Sequence, residues 1–174
     1  MVPINIALIG FMGSGKTTVG RLLAVRLGMK FIDLDDVIKD KLGMEITEIF
    51  SNYGEKYFRD VESQVVKEVF TGVDNSVIAC GGGVVLRDDN VRIINQNSVV
   101  VYLRISPYEA YSRLLSCRDR PLLNVSNRLE VINQLMRVRE PLYLRTAHIV
   151  VDVDGRTPED IVEEIIRTLS NKVV

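Results

Sequence analysis

Residues 10–17, GFMGSGKT, constrain the fold more than any other part of this 174-residue chain. They match the phosphate-loop pattern G-x-x-x-x-G-K-[ST], in which glycines let backbone N–H groups turn toward a phosphate. Such a loop needs a buried strand before it and a helix after it, because the helix N-terminus presents its positive end to the same anion. The isoleucine-rich residues 4–9 and the amphipathic residues 18–27, which stop at Gly28, supply both elements. We therefore predict a nucleoside-triphosphate-binding α/β protein.

The rest of the chain alternates short apolar runs with amphipathic segments. The predicted elements are strands at 30–33, 76–79, 98–103 and 147–151, a helical stretch at 35–70 with breaks near Gly43 and Gly54, and helices at 88–95, 107–115, 129–144 and 158–169. Strands that alternate with helices form a parallel sheet covered on both faces. We predict one domain of three layers, α/β/α, with a five-stranded parallel sheet.

Two segments are longer than simple crossovers need. Residues 35–70 are interpreted as a helical substrate-binding region, and residues 117–126, rich in arginine and containing proline, as a lid. Residues 1–34, 71–116 and 127–174 then form the core.

The charge and composition of the chain argue against several classes of binding partner. A formal net charge of −1 argues against a broad nucleic-acid surface, which needs a basic face. No run approaches the roughly 18 apolar residues of a membrane span, and the N-terminus has no basic leader. Cys80 and Cys117 show neither metal spacing nor the density of a disulfide framework, and the single histidine, His148, is expected to be structural. We expect a soluble, cytoplasmic monomer that binds neither membranes nor nucleic acid.

The loop assigns the nucleotide contacts. Backbone groups of Gly13, Ser14 and Gly15, with Thr18 beyond them, are predicted to hold phosphates. Lys16 is expected on the β- and γ-phosphates of ATP, and the Thr17 hydroxyl on Mg²⁺.

The loop does not identify the acceptor of the phosphoryl group. The chain lacks the N-K-x-D tetrapeptide that a GTPase uses to read its base. Asp33 and Asp35 follow a predicted strand early in the chain, which favours a small-molecule kinase. Residues i and i+2 at a strand end face the same side, so we expect both carboxylates at one site. Asp36 is interpreted as a loop and capping residue.

Six segments in order resemble the shikimate kinase family over essentially the full chain. They are GFMGSGKTTVGRLLA, FIDLDDVI, ITEIF…GEKYFRDVE, the GGG turn, RPLL and REPLY. The resemblance implies a fold like the nucleoside monophosphate kinases and transfer of the γ-phosphoryl group of ATP to the 3-hydroxyl of shikimate. That reaction lies on the route to chorismate and aromatic amino acids.

The resemblance also implies roles for residues outside the loop. Arg59 and Arg139 correspond to the arginines on the substrate carboxylate, a task that the planar guanidinium fork suits. From the residues alone, Arg59 would pair with Glu62 at i+3, and both roles are compatible. Asp35 corresponds to the aspartate on the substrate hydroxyls, where it positions the acceptor or takes its proton. Gly81, Gly82 and Gly83 follow a predicted strand, where backbone N–H groups can meet a substrate at the carboxyl edge of the sheet, and Gly82 is the strongest candidate.

Three further assignments follow from the resemblance. Asp33 corresponds to the residue near Mg²⁺. Arg120, with Arg118 beside it in the lid segment, corresponds to the lid residue that closes over ATP and meets the transferring phosphoryl group. Arg156 corresponds to a residue near the adenine.

Two other functions stay open at this point. One is a different small-molecule kinase on the same scaffold, acting on gluconate or a nucleoside monophosphate. The other is a non-catalytic ATP-binding regulator. The set of Arg59, Asp35 and Arg139 favours a hydroxylated carboxylic acid over a nucleobase.

Overall fold

The computed structural model describes residues 4–115 and 119–172. Within them, five parallel strands form one sheet in the order β2-β3-β1-β4-β5. The strands are β1 (Asn5–Ile9), β2 (Lys30–Asp33), β3 (Ser76–Ala79), β4 (Ser98–Arg104) and β5 (Ile149–Asp152). The predicted five-stranded parallel sheet is confirmed.

Helices follow the strands as crossovers. They are α1 (Lys16–Leu27), α2 (Leu34–Leu42), α3 (Ile46–Gly72), α4 (Asp88–Asn97), α5 (Pro107–Leu114), α6 (Arg128–Thr146) and α7 (Pro158–Lys172). Two short 3₁₀ helices, Val84–Leu86 and Pro121–Leu123, lie in the longer connections. Every residue of β1 and β3 is buried, as expected of central parallel strands with helices on both faces.

Not every apolar residue of α1 lies on its buried face, where the amphipathic pattern had predicted them all. The helix begins at Lys16, behind Gly15, and ends at Gly28, whose φ of 65° is the left-handed turn expected there. Val19 and Leu23 are buried, but Val25 is 78% exposed. Val25 lies two residues after Leu23, about 200° further round the helix, and therefore on nearly the opposite side.

The segment between β2 and β3 holds two helices. Gly43 closes α2 with a φ of 63°, and Gly54 interrupts α3 with a φ of 82°. Both predicted breaks are confirmed. Beyond the bend, α3 packs against α2 and α4, and Arg59 and Glu62 are among its buried residues.

His148 lies just before β5 and is hydrogen-bonded to the neighbouring strand β4. Its backbone N–H donates to Val100 O at 2.9 Å, and its Nδ1 accepts from Val100 N at 2.9 Å. These bonds support the structural role expected of it. Of the helices in the described part of the chain, none is both long enough and apolar enough to cross a bilayer.

The topology decides where ligands bind. The strand order reverses around β1, and ligands of open α/β sheets bind at the carboxyl ends of the strands at such a point. The loop after β1, the aspartates after β2 and the glycines after β3 all meet there.

Candidate active site

Two adjoining cavities lie at this edge of the sheet. The first, the phosphate-loop cleft, has a volume of about 220 Å³ and is lined by Met12, Gly13, Gly15, Lys16, Thr17, Thr18, Asp33, Asp35, Ala79, Cys80, Gly81, Gly82 and Arg120. The second, the inner pocket, measures about 50 Å³ and is lined by Met12, Asp35, Ile46, Phe50, Phe58, Arg59, Glu62, Gly81, Gly82, Gly83, Asp119, Arg120, Pro121, Leu122 and Arg139. The residues common to both are Met12, Asp35, Gly81, Gly82 and Arg120. A group transferred between the two cavities would pass these residues.

Glycine is required at the start of the phosphate loop. Gly10 has a φ of 151°, and a Cβ there would stand 2.6 Å from Leu103 O. At the other end, Gly15 precedes α1 with a φ of 90°, and the first turn of α1 contains no acidic residue. The positive helix end therefore faces the cleft without an internal counter-charge, which suits an anion.

Lys16 extends its ammonium group across the loop. Its Nζ donates to Gly10 O at 2.7 Å and to Phe11 O at 3.0 Å. Burial, followed by the nearby charge of Arg120, lowers the pKa of Lys16 to about 8, against the opposing effect of Asp35. An arriving phosphate would supply the negative charge that the buried ammonium lacks.

Thr17, Asp33 and Asp35 form one connected group. Thr17 Oγ1 donates to Asp33 Oδ2 at 2.8 Å, and Asp33 Oδ1 accepts from Asp35 N at 3.0 Å. Asp33 is thus the N-cap of α2 as well as a cleft residue. The prediction that strand alternation brings the two aspartates together was wrong in its reason. The strand ends at Asp33, and Asp35 lies in the first turn of α2, yet both line the cleft.

These oxygen groups fit a magnesium ion. The described residues contain no cluster of three or more histidine, cysteine, aspartate or glutamate side chains arranged as a metal cage. Mg²⁺ normally keeps several waters and binds through one or two protein groups plus substrate phosphates. Thr17 and Asp33 provide such a partial donor set beside the phosphate loop.

Asp35 carries a perturbed carboxylate. Burial and the neighbouring charge of Asp33 raise its pKa, while Arg120, Lys16 and Arg59 oppose that rise. The Arg120 guanidinium lies 3.7 Å from Asp35 Oδ2. A carboxylate with a raised pKa is a better proton acceptor than an exposed one.

Arg59 and Glu62 form a buried ion pair on α3. Arg59 Nη1 lies 2.8 Å from Glu62 Oε1, and the residues are 8% and 1% exposed. The i+3 pairing expected from the sequence is confirmed. Burial raises the pKa of Glu62, and the charge of Arg59 opposes the rise. Arg59 Nη2 also lies 3.4 Å from Glu55 Oε1, so two carboxylates fix the guanidinium of Arg59 where it lines the inner pocket.

The turn after β3 needs glycine because charged side chains lie too close to it to leave room for a Cβ. A Cβ on Gly81 would lie 2.6 Å from Glu62 Oε2, and one on Gly83 would overlap the guanidinium of Arg59. Within the described residues, no protein acceptor receives the backbone N–H of Gly81, Gly82 or Gly83. Gly81 and Gly82 line both cavities and Gly83 lines the inner pocket, so the turn brings backbone N–H groups to the edge of each cavity. Gly83 was named with Gly81 and Gly82 as a candidate for substrate contact, and it lines the inner pocket.

Arg139 and Tyr143 reach the same turn from α6. Arg139 is 3% exposed, and a Cβ on Gly82 would lie 3.4 Å from its Nη1. Four residues later, the Tyr143 hydroxyl donates to Gly82 O. Tyr143 was missed as a functional candidate, although it ends the REPLY segment.

The lid segment is described from residue 119 onward. Arg120 lines both cavities and precedes the 3₁₀ helix Pro121–Leu123. Arg118, predicted beside it, and Cys117 lie outside the described residues. Cys80 is 3% exposed, and burial raises the pKa of its thiol, so it packs as a small apolar side chain.

Arg156 lines neither cavity. Its guanidinium lies 2.6 Å from Glu164 Oε2 and donates to Asp152 O at 2.9 Å. Arg113, which the sequence prediction missed, links this region to the phosphate loop by donating to Gly13 O at 3.1 Å and to Val153 O at 3.3 Å. The adenine contact predicted for Arg156 stays a prediction.

The chain is similar in sequence to known proteins of one family. The family model described as shikimate kinase matches residues 12–170. A shikimate kinase of Thermodesulfovibrio yellowstonii is 48% identical over 94% of this chain and 93% of its own length. The chain belongs to the shikimate kinase family.

Solved structures agree with the family. A shikimate kinase from Acinetobacter baumannii in complex with shikimate superposes with a TM-score of 0.95 at 37% identity, covering 100% of this chain and 97% of its own. A gluconokinase from Sinorhizobium meliloti reaches a TM-score of 0.57 at 18% identity, over 98% and 93% of the two chains. That second likeness shows the shared fold alone.

Replacing Lys16 with methionine tests its role in the cleft. We expect turnover to fall by roughly 10²–10³, because one buried charge on the reacting phosphate is lost. The free energy of unfolding at pH 7 should not fall, since burial already disfavours the charged lysine.

The pH dependence of stability provides a control for this variant. The native pKa of about 8 lies below the ordinary 10.5, so the unfolded chain binds more protons between those values. Wild type should therefore gain stability relative to Lys16→Met as pH rises through that interval in urea unfolding experiments. A constant difference across it, or near-normal turnover, would contradict the buried-charge assignment.

Proposed function

We propose that this chain transfers the γ-phosphoryl group of ATP to the 3-hydroxyl of shikimate, giving shikimate 3-phosphate and ADP. The observation that carries the proposal is the inner pocket, which is lined by two buried arginines, by Asp35 and by the glycine turn after β3. Shikimate has a carboxylate at one end and hydroxyls at the other, so its charges and donors match that arrangement. The reaction would serve the route to chorismate and aromatic amino acids.

Arg59 and Arg139 would hold the substrate carboxylate. Both arginines are buried and line the pocket, and within the described residues Arg59 is paired with carboxylates whereas Arg139 has no carboxylate at ion-pair distance. A substrate carboxylate would therefore neutralise charge that the protein leaves in excess. Gly81 and Gly82 would donate backbone N–H groups to the ring substituents.

Asp35 would orient the hydroxyl that attacks. It lines both cavities, so a substrate hydroxyl beside it also faces the phosphate loop. The new bond joins the 3-oxygen to the γ-phosphorus as the bond from that phosphorus to the bridging β,γ-oxygen breaks. The hydroxyl proton leaves to Asp35 or to water, and its transfer contributes little because the transition state of phosphoryl transfer is loose.

The nucleotide would bind with its phosphates on the loop. Backbone groups of Gly13, Ser14 and Gly15, with Thr18 at the start of α1, surround them. Lys16 and Arg120 would stabilise negative charge on the transferring group from two sides. Arg156 would lie toward the adenine.

Mg²⁺ would be held by Thr17 directly and by Asp33 through water. Bound there, it would neutralise phosphate charge and align the β- and γ-phosphates. Residues 35–70 and 117–126 would form the substrate-binding region and the lid of a cytoplasmic monomer.

The pocket disfavours the alternatives. A nucleobase offers no carboxylate for two arginines. Gluconate is an open chain, longer than the ring of shikimate, and suits the small inner pocket less well. A non-catalytic regulator would not need Lys16, Thr17, Asp33, Asp35 and Arg120 together.

A coupled assay of ADP release with Mg-ATP tests the reaction. Shikimate should support turnover, whereas gluconate and nucleoside monophosphates at equal concentrations should not rise above the rate without acceptor. Identification of the product by phosphorus NMR as a 3-phosphate completes the test. Folded protein without shikimate-dependent ADP release would refute the proposal.

Arg139→Ala tests the carboxylate assignment, with Arg137→Ala as a control on the exposed side of the same helix. Loss of charged hydrogen bonds should raise the KM for shikimate about 10- to 100-fold. The KM for ATP should stay within about twofold, because the lost bonds concern the acceptor. Equal kinetic constants for the two variants would show that Arg139 does not bind the acceptor.

A further inference from the structure

The hydroxyl of Tyr143 lies directly behind the glycine turn. It donates to Gly82 O, yet Tyr143 lines neither cavity and is fully buried. The turn itself has no side chains with which to fix its conformation. Glycine has the largest backbone freedom of any residue, so such a turn must be held from outside.

The surrounding bonds leave one peptide unit without another restraint. Cys80 N donates to Leu8 O at 3.0 Å, and Val84 N donates to Gly81 O at 3.1 Å, which fix the two sides of the turn. Between them, in the part of the chain that the structure describes, Gly82 O has Tyr143 as its bonded partner. The carbonyl and the following N–H of a trans peptide point in opposite directions. Holding Gly82 O toward α6 therefore directs Gly83 N–H away from α6.

Tyr143 is also tied to the substrate arginine. Arg139 precedes it by four residues on α6, so the two side chains share one face of the helix. Burial raises the pKa of the Tyr143 phenol to about 12, and the nearby charge of Arg139 opposes that rise. The phenol is thus a proton donor across the pH range of ordinary assays.

We propose that Tyr143 is a positioning residue, which sets the orientation of the Gly82–Gly83 peptide and thereby the backbone donors offered to the acceptor. It acts through Gly82 and touches neither substrate. This proposal builds on the proposed function, because it concerns how the same pocket binds shikimate.

The chain contains a matched control. Tyr102 of β4 stacks on Tyr143 with ring centroids 5.0 Å apart, and it too is fully buried. Its hydroxyl has no hydrogen-bond partner among the described residues. Tyr143→Phe and Tyr102→Phe therefore each remove one hydroxyl from one buried ring pair, but only the first frees Gly82 O.

Steady-state kinetics and calorimetric titration of shikimate test the pair of variants. Tyr143→Phe should raise the KM and the Kd for shikimate about 3- to 20-fold, as expected for one lost hydrogen bond. The KM for ATP should stay within about twofold of wild type, because the phosphate loop does not depend on this bond. Tyr102→Phe should leave all three constants unchanged.

Three outcomes would overturn the proposal. The first is an unchanged shikimate affinity in Tyr143→Phe. The second is an equal loss in both phenylalanine variants and the third is a parallel loss of ATP affinity, because each of these two would indicate general loosening of the ring pair. Thermal unfolding of each variant separates such loosening from a local effect. Wild-type turnover is measured alongside, so its absence would count against the proposed function and not against the role of Tyr143.

Discussion

The buried ion pair between Arg59 and Glu62 is the interaction on which the acceptor pocket depends. Placing two charges in the interior is costly unless each is paired and hydrogen-bonded. Here the pair is packed against a turn with no side chains, where a Cβ on Gly83 would overlap the guanidinium. The buried position of Arg59 on α3 therefore depends on the absence of side chains in the GGG turn. A change in any of them would alter the pocket that reads the acceptor.

The inner pocket adjoins the phosphate-loop cleft, and the two cavities share part of their lining. The residues common to both include Asp35 and Arg120, one from each side of the gap, at 3.7 Å from each other. In this arrangement the guanidinium of Arg120 is the ion-pair partner of the Asp35 carboxylate. Substrates that enter both cavities would separate them and give each a new partner. The phosphate loop lines the first cavity, and the arginines of α3 and α6 line the second, so the proposed reaction assigns the phosphoryl donor to the first and the acceptor to the second.

The sequence predicted the scaffold well, because its signals are local. The loop, the strand runs and the glycines at 28, 43 and 54 each act within a few residues. The pairing of Arg59 with Glu62 was also within reach, being one helical turn. Contacts across the fold were not. Tyr143 meets Gly82 over 61 positions, and Arg113 meets Gly13 over 100, and no local pattern signals either bond. Asp35 was placed correctly for a wrong reason, because strand β2 stops one residue before α2 begins.

Titration calorimetry with shikimate and its methyl ester tests the central claim on the unmodified protein. The ester keeps the ring and the hydroxyls but removes the negative charge that two buried arginines are proposed to bind. Shikimate should bind at least about tenfold more tightly than the ester, as expected for charged hydrogen bonds. Equal affinity for the two compounds would contradict carboxylate recognition by Arg59 and Arg139.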